Sequence, residues 1–334
     1  MSGSLTQFGI GKETVYGTAV PLTKWYEVIS EDFTGTYERT QAEALSAAFV
    51  DRADRFAIFN KGAKGTVELE PLTKGFGSWL AYMMGTMVTT GPTETVVYTH
   101  TGTIGNLFDK MLTVQVGRSD ESGTLRPWTY EGGKVTEYEF SNSVDETLRC
   151  SIGMDFEKEY NPDAPAGNYV LGTNVPVTGA EVLSAAGGVI TIGGTSVEID
   201  DLSIKVDNAL NVDRYYINQA QGKKQPIQDG KREIEFSFKT SYVDNTFWEK
   251  VSSATIAGSY AQVVATWSGL TLLGSTIYPN LKITIPVARF DEGGPTVEGP
   301  GMLEQTFSGK GLYDGTLSAM TVAYQSADVT VLPN

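Results

Sequence analysis

Two side chains in this sequence have the reactivity of a nucleophile or a metal ligand at neutral pH, and each occurs once: His100 and Cys150. A zinc site needs three or four nitrogen or sulfur ligands, so one imidazole and one thiol exclude it. A Cys150–His100 nucleophile pair, with the ring activating the thiol, is conceivable. Against it, Cys150 lies in Leu148-Arg149-Cys150-Ser151-Ile152, where every second residue is apolar. That is the pattern of an inert cysteine on the buried face of a strand. Gly309-Lys310-Gly311 lacks the upstream glycine and the following Ser/Thr of a phosphate loop. Gly293-Gly294-Pro295 and Gly299-Pro300-Gly301 read as Pro-rich turns, not dinucleotide fingerprints, which need a strand-to-helix setting. The paired carboxylates Asp200/Asp201 and Asp291/Glu292 could serve acid–base work or calcium. In so acidic a chain, solvated turn residues are the default. No catalytic residue, cofactor or metal is expected, and the chain reads as a non-enzyme.

The elements that hold these residues are mostly strands. The 37 glycines and 13 prolines punctuate short runs rich in Val, Ile, Thr, Tyr and Phe. Alternation is clear in Thr66–Glu70, Met111–Val116, Lys134–Phe140, Glu233–Lys239, Leu281–Val287 and Thr321–Tyr324. One apolar and one polar face means half-buried strands of a sandwich or barrel. Two short helices interrupt them. One is expected over Lys74–Met84, with Phe76, Trp79, Leu80, Met83 and Met84 on one stripe and Gly85 as its stop. The other runs from about Asp244 to Val251, capped by Asp244 or Asn245, with Phe247, Trp248 and Val251 facing the core.

The order of these elements repeats. Strand Ile29–Glu31, a polar loop Thr36–Lys61, strand Gly65–Pro71 and the first helix match strand Leu202–Asp207, loop Asn208–Gly230, strand Lys231–Tyr242 and the second helix. Each loop far exceeds an ordinary hairpin connection, and such loops are functional or disordered. A chain of 334 residues fits two domains. The boundaries expected are an N-terminal arm 1–24, a first β domain 25–165, a linker or extra hairpin 166–196, and a second β domain 197–334. Asn161–Gly167 has linker composition. The run Val189–Ile192, flanked by paired glycines, reads as an extra edge strand or an arm for a neighbour.

Net charge is −15, with 14 basic against 23 acidic residues through Pro165 and 11 against 17 after it. No stretch is basic enough to grip phosphates, which argues against sequence-specific DNA binding. The lone cysteine fits a reducing compartment, the first residues lack a signal pattern, and no apolar run has the length of a membrane span.

Several segments together resemble the tail tube (major tail) proteins of long-tailed bacteriophages, two-domain type. They are Phe8–Ala19, Gly62–Glu70 with Lys74–Leu80, Leu202–Leu210, Leu303–Gln305 and Gly311–Thr316. The resemblance implies tandem sandwich or barrel domains, each flanked by a short helix and carrying a long loop for subunit contacts. It implies rings stacked into a hollow tube through which DNA leaves the capsid. Its implied partners are the chain itself, the tape-measure, tail-terminator and tail-tip proteins, and DNA passing without specific binding. Its implied location is the virion tail, assembled in the host cytoplasm, with no membrane.

The loops suit assembly, because Arg forks and Tyr rings are enriched at interfaces and mixed charges can set register. The candidates are Tyr37, Glu38, Arg39, Asp51, Arg52, Asp54 and Arg55 in the first loop. In the second they are Asn208, Asp213, Arg214, Tyr215, Lys223 and Lys224. Glu68, Glu70, Glu233 and Glu235 are candidates for the lumen, because they occupy corresponding strands and would repel phosphates. Two like halves suggest a trimeric ring with pseudo-sixfold symmetry, against a hexamer with one half outside. Rival functions are another tail or capsid decoration protein, or a carbohydrate-binding β-sandwich. The last would need exposed aromatic platforms, whereas Trp79 and Trp248 fall on expected buried faces.

Overall fold

The computed structural model describes residues 5–43, 49–161, 165–217, 222–297 and 300–330. Part of each long loop (44–48 and 218–221), Pro162–Ala164 of the expected linker and Gly299 of the second Pro-rich turn lie outside these described residues. In the first half the strands are β1 Gln7–Lys12, β2 Lys24–Tyr26, β3 Ser30–Glu31, β4 Thr34–Gln41 and β5 Phe56–Leu69, then helix α1 Gly77–Met84. Next come β6 Gly85–Thr93, β7 Val97–Ile104, β8 Leu112–Ser119, β9 Leu125–Ser143, β10 Arg149–Phe156 and β11 Lys158–Tyr160. The second half holds β12 Gly188–Ile192, β13 Thr195–Ser196, β14 Asp201–Asp207, β15 Leu210–Asn211, β16 Ile227–Gln228 and β17 Glu233–Ser241. After helix α2, Thr246–Val251, follow β18 Tyr260–Ser268, β19 Asn280–Thr296, β20 Glu304–Gly311 and β21 Thr321–Ser326.

Two long strands organise the sheets. The first part of β9 pairs with β8 and β11, and its second part with β10 and β14. A Gly132-Gly133 pair marks the change; Gly132 has φ +69, and a Cβ there would meet the Tyr16 ring at 2.8 Å. In the same way β19 passes from β18 and β21 to β20, with a bulge between Phe290 and Glu292. Gly293-Gly294-Pro295, expected as a turn, is therefore strand beside that bulge. Proline is tolerated there because the strand pairs on one side only.

The result is one sheet running through both halves in the order β4-β5-β10-β9-β14-β17-β20-β19. Four strands are followed by four in the same sequence of roles. Two outer sheets cover it, β2-β1-β8-β9-β11 and β12-β18-β19-β21-β7-β6. The halves interlock, since β6–β7 from the first half joins the outer sheet of the second through β21. Of the expected arm 1–24, β1 lies between β2 and β8 within a sheet. Val189–Ile192 is part of an edge strand on β18.

Alternation explains the core. Val67 and Leu69, Ile152, Tyr138 and Phe140, Leu202, Ile204 and Val206, and Ile234, Phe236 and Phe238 all point to one buried side. Together they form a single apolar cluster that spans both halves. Helix α1 lies wholly inside it, and Gly85 (φ +99) ends it as expected; a Cβ there would meet Gly105 O at 2.5 Å. The second helix is one residue pair shorter than expected at its start. Asp244 Oδ1 accepts from Thr246 N (2.8 Å), and Phe247 packs on Phe238, Phe290 and Phe307. Trp248 is 46 % exposed, which corrects the expectation of burial. With Phe247 facing the core, its neighbour is turned about 100° away on so short a helix.

Both long loops differ from expectation. Most of Thr36–Lys61 is hairpin, because β4 pairs with β5 from Thr34↔Lys64 to Gln41↔Phe56. The second, Asn208–Gly230, closes at its base through β15–β16 and folds back on the first half.

Candidate lumen face and assembly edges

Opposite the core, the continuous sheet presents a polar face. Directly opposed residues of antiparallel strands share a face, so the ladder pairs define rows across it. One row reads Glu68, Ser151, Glu139, Lys205, Glu235, Lys310 and Arg289. Glu68 and Glu235, one from each half, therefore lie on one line. The next row reads Arg149, Ser141, Ser203, Ser237, Ser308 and Glu292. On the other side lie Thr66, Gly153, Glu137, Asp207 and Glu233.

On the six central strands of this face Arg149, Lys205, Lys239 and Lys310 each have a carboxylate partner, while Lys64 of β5, on the same face opposite Asp155, forms no ion pair among the described residues. Arg149 holds Glu68 at 3.2 Å and Lys205 holds Glu137 at 2.8 Å. Lys239 holds Glu304 at 2.6 Å, and Lys310 holds Glu233 at 3.1 Å and Glu235 at 3.4 Å. These exposed pairs add little stability, but they neutralise their own cations locally. Glu70 lies just past β5, accepting from Thr147 Oγ1 at 2.6 Å. A hollow of about 570 Å³ lies on this face beside Gly153, among Asp32, Glu137, Asp155 and Asp207 with Lys64.

The first-loop candidates are on the surface. Tyr37, Glu38, Arg39 and Asp51 are exposed, and Glu38 accepts from Asn60 Nδ2 at 2.6 Å. Asp54 gathers Arg52 (3.0 and 2.8 Å) and Arg55 (3.3 Å) at the tip, which holds its carboxyl below the usual range. Around them Phe49, Val50, Phe56 and Phe59 are exposed.

The second-loop candidates divide. Asp213 and Lys224 are exposed, with Lys224 5.0 Å over the Tyr216 ring. Arg214 donates to Gln225 O at 2.5 Å. Asn208 is fully buried and donates to Met83 O (3.2 Å) and Val135 O (3.0 Å). Lys223 is buried against Asp155, 2.5 Å from Oδ1, while Tyr215 Oη donates to Lys61 O at 3.1 Å. These three contacts are spent inside the chain. Burial pushes the Asp155 carboxyl up to about 6 against the pull of Lys223.

The two reactive side chains are structural. His100 is buried, with Nε2 2.8 Å from Asp328 O and Nδ1 2.9 Å from Thr89 Oγ1, and burial lowers its pKa. Burial raises the Cys150 thiol well above its ordinary value, so it stays protonated. Asp291 is tied to Arg289 at 2.5 Å. Sequence reasoning missed Glu13, which accepts from Thr113 Oγ1 and Gly132 N (both 2.9 Å) and is raised by burial to about 7. Its position in the glycine-rich opening gives no local sign of burial. Among the described residues no helix is long and apolar enough to cross a membrane.

The described residues thus present an ordered sheet surface rich in ion pairs. Residues 3–311 match the phage tail tube protein family, and the chain belongs to it. It is a bacteriophage virion protein of the tail, in a family that is structural, not enzymatic. No curated protein matches the chain.

Proposed function

We propose that three copies of the chain close into a ring, that rings stack into the tail tube, and that the polar face of the continuous sheet lines the channel for DNA. The observation that carries this reading is the β9–β14 seam, seven ladder pairs from Ser143↔Asp201 to Glu137↔Asp207. It joins one four-strand unit to the next inside a single chain. The same seam can form between chains, because β4 pairs only with β5 on that sheet, and β19 beyond Glu292 pairs only with β20. Three copies give about 24 strands; at about 4.8 Å spacing the wall is about 115 Å round and about 37 Å across before tilt widens it. Barrels of 16–18 strands already hold an aqueous channel.

In this reading Glu68, Glu70, Glu233 and Glu235 face DNA, carboxylates neutralise Arg149, Lys205, Lys239 and Lys310, and Lys64 sits in a hollow among Asp32, Glu137, Asp155 and Asp207, so little positive charge is left to trap phosphates. Repulsion acts over about 8–10 Å at ordinary salt, so it keeps the duplex off the wall. The tube units are 25–165 and 197–334. Tape-measure, terminator and tip proteins are the further partners, and assembly takes place in the host cytoplasm. Cryo-electron microscopy of tubes from the purified chain tests the arrangement. Three chains per ring, with the polar face inward, is the expected result. Six identical chains per ring would overturn the trimer.

A further inference from the structure

The two halves carry the same charged pair, but only one copy of it is covered. Lys64-Gly65-Thr66-Val67-Glu68 of β5 corresponds to Lys231-Arg232-Glu233-Ile234-Glu235 at β17, with lysine and glutamate at equal spacing. Glu68 lies opposite Ser151 of β10, and Glu235 opposite Lys310 of β20. Asp155 follows Ser151 at the same interval as Asp314 follows Lys310. Asp155 pairs with Lys64 in the ladder; by the same spacing Asp314 is its counterpart in sequence, just past the end of β20, as Lys231 lies just before β17. In the first half the segment after β14 closes over this place: Lys223 reaches Asp155 and Tyr215 reaches Lys61. In the second half Lys231 and Asp314 are exposed, with Tyr313 and Leu317 exposed beside them. The Asp314 carboxylate makes only turn contacts, to Thr316 and Leu317.

The missing cover has a counterpart in the chain. β4 stands to β5 as β14 stands to β17, each its antiparallel neighbour. The segment after β14 covers the unit across the β9–β14 seam. The segment after β4 has no unit across its seam in the same chain, because β4 is the edge of the sheet. We propose that the hairpin tip of a second copy fills this place: Arg52 and Arg55 engage Asp314, and the exposed Phe49 and Phe56 cover Tyr313 and Leu317. Charge and apolar surface match on the two sides, and the guanidinium fork suits a carboxylate. Among the described residues these arginine side chains are held by the exposed Asp54 alone, a weak attachment that a second carboxylate can displace. The proposal rests on the ring reading above and assigns it a contact.

The test places cysteines at the two ends, Arg55→Cys with Asp314→Cys. The native Cys150 is buried, so background cross-linking is low. A short thiol-to-thiol cross-linker, whose span replaces the arginine stem that a direct disulfide could not bridge, should turn assembled tubes into a ladder of covalently joined chains on a denaturing gel, with each single variant remaining at monomer size. A double variant that forms normal tubes yet stays at monomer size would overturn the contact while leaving the ring reading intact. Should that variant form no tubes, charge reversal decides. Asp314→Arg should lose tubes while remaining folded by circular dichroism, and Arg52→Asp with Arg55→Asp should restore them. Tubes of normal yield from Asp314→Arg, or no restoration, would overturn the contact. Absence of tubes from the unaltered chain would overturn the ring reading and this contact with it.

Discussion

Replacing Lys223 by methionine keeps most of the side-chain length but removes the ammonium 2.5 Å from Asp155 Oδ1. Asp155 Oδ2 already has no hydrogen-bond partner among the described residues, so the carboxylate would be left buried without compensation from them. Breaking one side of such a pair costs about 3–5 kcal/mol when the remaining group must stay charged. The cost depends on pH, and its sign follows from the folded-state pKa of about 6, above the ordinary value of 3.8. Between those values the folded chain holds a proton that the unfolded chain has released, so this group's contribution to stability falls as pH rises. Without Lys223 the folded pKa climbs further and the falling window extends upward. At pH 5 the variant should then lose little more than one hydrogen bond, about 1 kcal/mol, and at pH 8 the full amount. Urea unfolding of the monomer at both pH values measures this, and adding Asp155→Asn should recover most of the loss at pH 8. A loss equal at pH 5 and pH 8, or below about 1 kcal/mol at pH 8, would refute the reasoning.

Three further outcomes are expected. Glu13, raised from 4.5 to about 7 by burial, should make stability fall by about 3 kcal/mol as pH rises from about 4.5 to 7; Glu13→Gln should remove that slope in paired thermal melts, and an unchanged slope would exclude Glu13 as its source. Reversing Glu68, Glu70, Glu233 and Glu235 to Lys frees Arg149 and Lys310 and adds four cations, so tubes should form but DNA ejection should slow, as timed on single particles. Normal ejection through normal tubes would place those side chains outside the channel. Deleting residues 42–55 should leave a folded, soluble chain that forms no tubes by electron microscopy, and normal tubes from it would remove the hairpin from assembly. Removing the second loop should instead destabilise the chain, because it carries Lys223.

Legibility in the sequence followed local burial. Thr66–Glu70 and Glu233–Lys239 alternate, and their apolar members are buried as the pattern requires. The stripe of α1 and its Gly85 stop were equally plain, since both depend on neighbours within a few residues. The hairpin in Thr36–Lys61 was hidden because its outer part rises clear of the core: Arg39 and Thr40 on one strand, and Phe56 and Ala57 on the other, are all exposed. No alternation develops where both faces meet water. Burial of Lys223 was hidden for another reason, because its partner Asp155 lies 68 residues away and no local pattern marks the pairing. Trp248 misled because a six-residue helix has room for only one deep anchor, and Phe247 takes it.

The pairing of β7 with β21 carries a consequence for synthesis. Its ladder joins Thr103 to Thr321 and Ser326 to Tyr98, so a strand made early waits for one made more than 200 residues later. Contacts of such sequence separation are slow to form. Until β21 and the residues just after it leave the ribosome, the β6–β7 hairpin has an open edge and His100 lacks the Asp328 carbonyl. A nascent or prematurely terminated chain is therefore left with an unfinished outer wall. The chain's topology thus couples completion of that wall to synthesis of β21, more than 200 residues after β7, and products that stop short of it are disfavoured as building blocks.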